Sequence, residues 1–129
     1  MKLTSILLLL IALGGCDGPM AFIPGGALKG SQASAVGSNW EMAVGVESLE
    51  LETTPEDPYS VRVNFTLRDG KIYLDPDRER TWYSRLAMDS NVRVRFADTI
   101  YPVTAVVVDD PEELNGFDPS RVVFRLDPR

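Results

Sequence analysis

The chain has 129 residues, 44% hydrophobic and 25% charged, with 13 Lys and Arg against 19 Asp and Glu for a formal charge of −6. That length holds one small domain, the ordinary apolar and charged fractions exclude a wholly disordered chain, and the acidic balance excludes a nucleic-acid partner held by phosphate contacts. With no His and a single Cys, a His-based triad, an imidazole or thiolate metal cage and an internal disulfide are excluded as well.

The first element is an address. Lys2 precedes an apolar run of eleven, LTSILLLLIAL, at residues 3–13. A helix crossing a bilayer needs roughly 20 apolar residues, so this run reads as a secretory signal peptide. It ends in Leu13-Gly14-Gly15-Cys16, which resembles the lipobox of bacterial lipoproteins. The resemblance implies cleavage after residue 15 and acylation of Cys16, so the only cysteine is an anchor and not a catalytic thiol. Two or more acyl chains, at ~0.8 kcal/mol per buried CH₂, hold a protein stably on a membrane. The expected location is the bacterial cell envelope, facing outside the cytoplasm. Asp17 resembles the signal that keeps enterobacterial lipoproteins in the inner membrane. Losing residues 1–15 removes Lys2 and leaves 12 basic against 19 acidic residues.

Residues 16–38 hold the anchor and a stretch rich in Gly, Ala, Ser and Pro, which reads as a flexible tether. The rival reading packs Phe22, Ile23 and Leu28 on the domain as a lid.

Residues 39–129 read as one β domain with one helix. Trp40, Met42, Val44 and Val46 alternate with Glu41, Ala43 and Gly45, a strand period, and Leu49, Leu51 and Thr53 alternate with Glu50 and Glu52. Pro55 and Pro58 break the chain. The longest alternation runs from Tyr59 to Arg68 and is followed by Asp69-Gly70, a hairpin signal, and a return strand at 71–74. Asp75 as N-cap and Pro76 at the first helical position predict a helix across Arg78–Met88, with Trp82, Tyr83, Leu86 and Ala87 on one face. Its Arg78, Arg80 and Arg85 are expected to pair with Asp75, Asp77, Glu79 and Asp89 on a solvated face. A strand at 92–96 carries Arg93 and Arg95 toward solvent or a partner strand. The run 100–108 contains Pro102, which implies an edge or a bulge. An acidic, turn-rich connection at 109–120 leads to a last strand at 121–126.

About seven strands in such a length suggest a small closed or nearly closed antiparallel barrel. A domain of this size buries only ~60–65% of its chain surface. A homodimer through the last strand or the helix face would stabilise it.

The order of these elements over residues 49–108 resembles the FMN-binding split barrel of the pyridoxamine 5′-phosphate oxidase-like superfamily. TWYSRLAMDSNVRVRF (81–96), RDGKIYL (68–74) and IYPVTAVVVDDPEE (100–113) resemble successive segments of its deazaflavin-dependent nitroreductase branch, and VVFRLDPR resembles the closing strand. The resemblance implies a mainly β, antiparallel split barrel with one short helix. It also implies oxidoreductase chemistry on a small molecule with FMN or the deazaflavin F420, in a site shared by two subunits. By position the cofactor phosphate falls to Ser60 and Arg62 on the strand before the hairpin and to Arg80 and Thr81 at the helix start, with Trp82 beside the ring. Arg suits phosphate because its planar fork bonds two oxygens, and a helix start adds free N–H groups.

The sequence departs from that pattern. Glu56 and Asp57 stand where the nitroreductase branch is basic, Ser60 falls where an Arg is expected, and Asp75, Asp77 and Glu79 crowd the helix start. The alternative is therefore a cofactor-free lipoprotein that uses the barrel as a binding or structural module. Arg62 is either a phosphate ligand or a cross-strand partner, and Trp82 either stacks on a flavin or packs in the core or a dimer contact.

Overall fold

In the computed structural model, residues 18–20, 23–33 and 39–129 are described. The signal run, Cys16, Asp17 and Phe22 lie outside the described residues. Eight strands form one sheet: β1 (Ser31–Gln32), β2 (Ser48–Thr53), β3 (Tyr59–Asn64), β4 (Thr66–Arg68), β5 (Lys71–Leu74), β6 (Asn91–Phe96), β7 (Thr99–Val107) and β8 (Phe124–Pro128). The order is β3-β2-β6-β7-β8-β5-β4, antiparallel throughout, with β1 added to β7 in parallel. β3 and β4 stand at opposite ends of that order, yet only Phe65 separates them in the chain. The sheet must therefore curl until its ends meet, and the fold is the antiparallel split barrel with one helix, α1 (Thr81–Met88).

Strand alternation sends Leu49 and Leu51 of β2, Val92, Val94 and Phe96 of β6, and Val103 and Ala105 of β7 inward. They meet Ile72, Leu74, Phe124 and Leu126 from the other half of the sheet, and Leu86 of α1 plugs the same core. Losing any one of these leucines to alanine would cost ~2–5 kcal/mol.

Several expectations are corrected. Residues 40–46 are not a strand: Glu41–Ala43 form one 3₁₀ turn, opened by Trp40 at φ 48°. Burying Trp40 against Phe96 and Tyr101 wins over the alternating pattern. Trp40 and Ala43, three apart, point in, and Met42, Val44 and Val46 point out. The long alternation of residues 59–68 breaks at Phe65, where the barrel turns its corner. The helix starts at Thr81 with Arg80 as N-cap, not at Asp75. Asp77 accepts the Glu79 N–H at 3.1 Å on its side chain and the Arg80 N–H at 3.0 Å on its carbonyl, so a turn uses up this stretch first. The last strand begins at Phe124, three residues late. Pro102 sits in an interior strand, but in the gap between the partners on one side of β7. β1 pairs with Thr99 and Ile100, β8 with Val103 to Val107, and Arg129 N–H donates to the Pro102 carbonyl at 3.1 Å. Locally it is an edge. The hairpin at Asp69-Gly70 forms as expected, with φ 52° and 69°, the type I′ requirement that Gly satisfies without strain.

Candidate functional site

The outer face of β3, β2 and β6 carries a cross-strand lattice of charge. Glu50 lies opposite Arg62 on one side and Arg95 on the other; Glu52 lies opposite Ser60 and Arg93. Arg62 bonds Glu50 at 3.2 Å, and Arg95 pairs with the same carboxylate. Glu52 is buried, and Arg93 grips it with two bonds of 2.8 and 2.7 Å. Hydrogen bonding to Glu52 holds the Arg93 guanidinium above its usual range.

Part of the expected tether lies across this face. Leu28 is buried, and its N–H donates to Glu52 at 2.7 Å. Its carbonyl takes Arg93, and the Lys29 carbonyl takes Arg95 at 2.6 Å. Gly25 and Ser60 exchange two backbone bonds of 2.8 Å. A Cβ at Gly25 would collide with the Gly18 backbone, so this close approach requires glycine. Residues 23–33 thus form a strap. Leu28 matches the lid reading, whereas Ile23 is 61% exposed. The lid reading rested on apolar side chains, whereas the main ties of the strap are made by its backbone groups. The complementary signs of Glu50/Glu52 and Arg93/Arg95, each two apart, were the available signal for the lattice beneath it.

The start of α1 forms the second feature. A cleft of about 300 Å³ is walled by Arg62, Arg80, Thr81 and Trp82, with Pro24, Tyr59, Val61 and Glu79 completing it. Four of the five residues picked from sequence meet here. Ser60 does not: it is fully buried, its hydroxyl has no hydrogen-bond partner, and Gly25 covers its backbone. Arg62 reaches the cleft but is already tied to Glu50. Arg80 is exposed and forms no ion pair among the described residues. No side chain caps the helix start and no acidic residue lies in its first turn, so the first N–H groups carry the partial positive end of the helix without a side-chain partner. Trp82 is half-buried against the core. Pro24 and Tyr59 were missed, the first because it belongs to the strap.

Arg85 fixes α1 in place, and not through the acidic residues expected to pair with it. It bonds the Thr54 hydroxyl at 2.7 Å and the Asp57 carbonyl at 2.9 Å, and lies over the Tyr59 ring at 4.5 Å. Asp57, which replaces the basic stretch of the resembled branch, thus anchors the helix.

A third cluster ties down the 109–120 connection. The Tyr73 hydroxyl donates to Glu113 at 2.7 Å, Arg125 donates to both Glu113 oxygens, and Arg68 packs on both the Tyr73 and Phe117 rings while bonding the Glu113 and Asn115 carbonyls. Arg125 and then Tyr73 hold the Glu113 carboxyl below its ordinary value; burial, then Glu113, push the Tyr73 phenol up. No group of three metal-ligating acidic, Cys or His residues occurs among the described residues, and no helix there is long and apolar enough to cross a membrane.

No family model matches the sequence, and no curated protein matches it. Solved structures do match the fold. A protein provisionally assigned as a pyridoxamine 5′-phosphate oxidase from Listeria innocua superposes with a TM-score of 0.57 at 16% identity, over 68% of this chain and 88% of its own. An FAD binding protein from Mycobacterium smegmatis gives 0.56 at 16% identity, over 74% and 92%. A further protein provisionally assigned as a pyridoxamine 5′-phosphate oxidase, from Corynebacterium glutamicum, gives 0.51 at 16% identity, over 74% and 87%.

Proposed function

We propose that this protein is a lipid-anchored flavin-binding protein of the bacterial cell envelope, a split-barrel oxidoreductase acting on a small molecule. The observation that carries the reading is the cleft at the start of α1, where the uncapped helix, Thr81 and Arg80, which has no ion pair among the described residues, stand on a fold shared with a protein described as FAD binding. These residues fit the phosphate end of a flavin mononucleotide: Arg80 offers a two-pronged donor, Thr81 a hydroxyl and the helix its first N–H groups. Glu79 on the same wall opposes an anion and limits affinity. Ligand sites run from about 300 to 1,000 Å³, so this cleft holds the phosphate end, and a second copy of the chain would have to enclose the ring. That supports a homodimer, which sedimentation at rising concentration tests; a monomer throughout would remove it. When bound, the flavin or deazaflavin would supply the electron or hydride transfer.

The protein's own residues do the positioning. Arg85 locks α1 against the β2–β3 turn, so Arg80 and Thr81 are presented from a fixed helix, and Trp82 keeps one wall apolar. Purified protein should bind FMN, or else F420 or FAD, at micromolar affinity or better, ~8 kcal/mol, read by fluorescence quenching and a rise in melting temperature. No response to any of the three would leave the second reading, a cofactor-free binding module. The observation that favours that reading is the sealing of Ser60 beneath Gly25 and the pairing of Arg62 with Glu50.

A further inference from the structure

We propose that the strap seats the domain directly on the lipid surface, with Met20 and Ile23 inserted at the headgroup level; the proposal rests on the reading of Cys16 as the acylated residue. Gly18 packs against Gly25, and a Cβ on it would stand 3.3 Å from the Arg95 guanidinium. Pro19 beside it is buried. Gly25 is bonded to β3, and Leu28 and Lys29 to Glu52, Arg93 and Arg95. Residue 18 is therefore a fixed point on the β3–β2–β6 face. Residue 16 stands two positions before it, and two residues of chain span at most ~7 Å, so an anchor at that position leaves the face little slack. A long tether would let the domain tumble above the membrane. This leash does not.

A second observation concerns which residues are exposed. Of the seven large apolar side chains exposed among the described residues, five are Met20, Ile23, Met42, Val44 and Val46. Met20 and Ile23 are paired by two backbone bonds of 3.0 and 2.8 Å, which puts their side chains on one side of a hairpin. They are 57% and 61% exposed. Met42 and Val46 line a groove of about 540 Å³ whose wall includes Arg95, the residue Gly18 rests on. Single exposed apolar residues need no explanation. Two of them paired side by side, four and seven residues after an acyl anchor, do. The occupant is the bilayer, because the acyl chains already hold it within reach. Pro24, the residue after Ile23, lines the cleft at the start of α1, so the candidate site opens beside the lipid surface.

The test uses the full chain, expressed with its signal run and reconstituted in phosphatidylethanolamine–phosphatidylglycerol vesicles. Acylation consumes the Cys16 thiol, so Ile23→Cys or Met20→Cys supplies the one reactive thiol for an environment-sensitive fluorophore, and Glu112→Cys on the 109–120 connection is the distant reference. An apolar face at the interface sits ~5–10 Å into the headgroup boundary, so nitroxide lipids labelled near the headgroup should quench positions 20 and 23 at least about threefold more than position 112, with blue-shifted emission. Water-like emission and equal quenching at all three positions, with acyl mass present on the N-terminal peptide, would overturn the seating alone. An N-terminal peptide without acyl mass would overturn the anchor reading and the seating with it.

Discussion

Two arginine-bearing regions of this barrel lie side by side and behave in opposite ways. On the β3–β2–β6 face, Arg62, Arg93 and Arg95 are each matched to a glutamate one strand away, and the strap closes over Glu52 and Ser60. At the start of α1, Arg80 has no counter-charge bonded to it and the helix start has no cap. The same side chain is structure in the first place and available for a ligand in the second. What separates them is register. Residues directly opposite across two strands meet whatever their function, whereas a residue at a helix start meets only what comes to it.

The contrast can be broken from either side. The largest effect belongs to the closed face. Glu52→Ala would leave Arg93 and the Leu28 N–H without their acceptor. Removing one partner of a buried pair costs ~3–5 kcal/mol, and since Arg93 keeps 27% of its side-chain surface exposed the lower end is expected. Urea unfolding measures this, and hydrogen exchange should show the Gly25 and Ser31 amides losing protection together. Stability within about 0.5 kcal/mol of the parent would mean the strap is not held by this carboxylate. Arg85→Ala comes next, at about 1–2 kcal/mol, from the lost bonds to Thr54 and Asp57 and the contact over Tyr59; an unchanged unfolding midpoint would show that α1 is held by its apolar contacts through Leu86, Trp82 and Tyr83.

A smaller effect follows pH. Glu113 is held below its ordinary value in the fold. Its contribution is therefore complete above the ordinary carboxylate range and lost as pH falls through the lowered folded value. Glu113→Gln should flatten the acid limb of the stability curve, and an unaltered limb would remove Glu113 from it. Tyr73 acts at the other end: raised in the fold, it costs stability as pH climbs past the ordinary phenol value of 10.0. The smallest stability change, within about 0.5 kcal/mol, is expected of Arg80→Ala, whose exposed side chain forms no ion pair among the described residues.

Much of the barrel was legible in the sequence. Alternation marked β2, β3 and β6, and Asp69-Gly70 marked the hairpin, because both signals are local. Residues 40–46 misled because Trp40 gains more from the aromatic cluster with Phe96 and Tyr101 than the backbone gains from pairing, and that cluster is distant in sequence. The helix start slipped by five residues because Pro76 and Asp77 suit a turn as well as a cap. Arg80, Thr81 and Trp82 lie together at the helix start, a local feature that the order of the chain already implied. The pairing of Arg62 across the strands matches one of its two sequence readings, but the sealing of Ser60 was not legible, since it depends on Gly25 of the strap, which no local pattern places over it.

The most direct test of the central claim compares two arginines of one cleft. FMN affinity should be measured for the parent, Arg80→Ala and Arg62→Ala at fixed salt. The account predicts micromolar binding by the parent, a loss of about tenfold, or 1.4 kcal/mol, for Arg80→Ala, and a change within about threefold for Arg62→Ala, whose charge already belongs to Glu50. Equal losses, a larger loss at Arg62, or no FMN binding by the parent would contradict it.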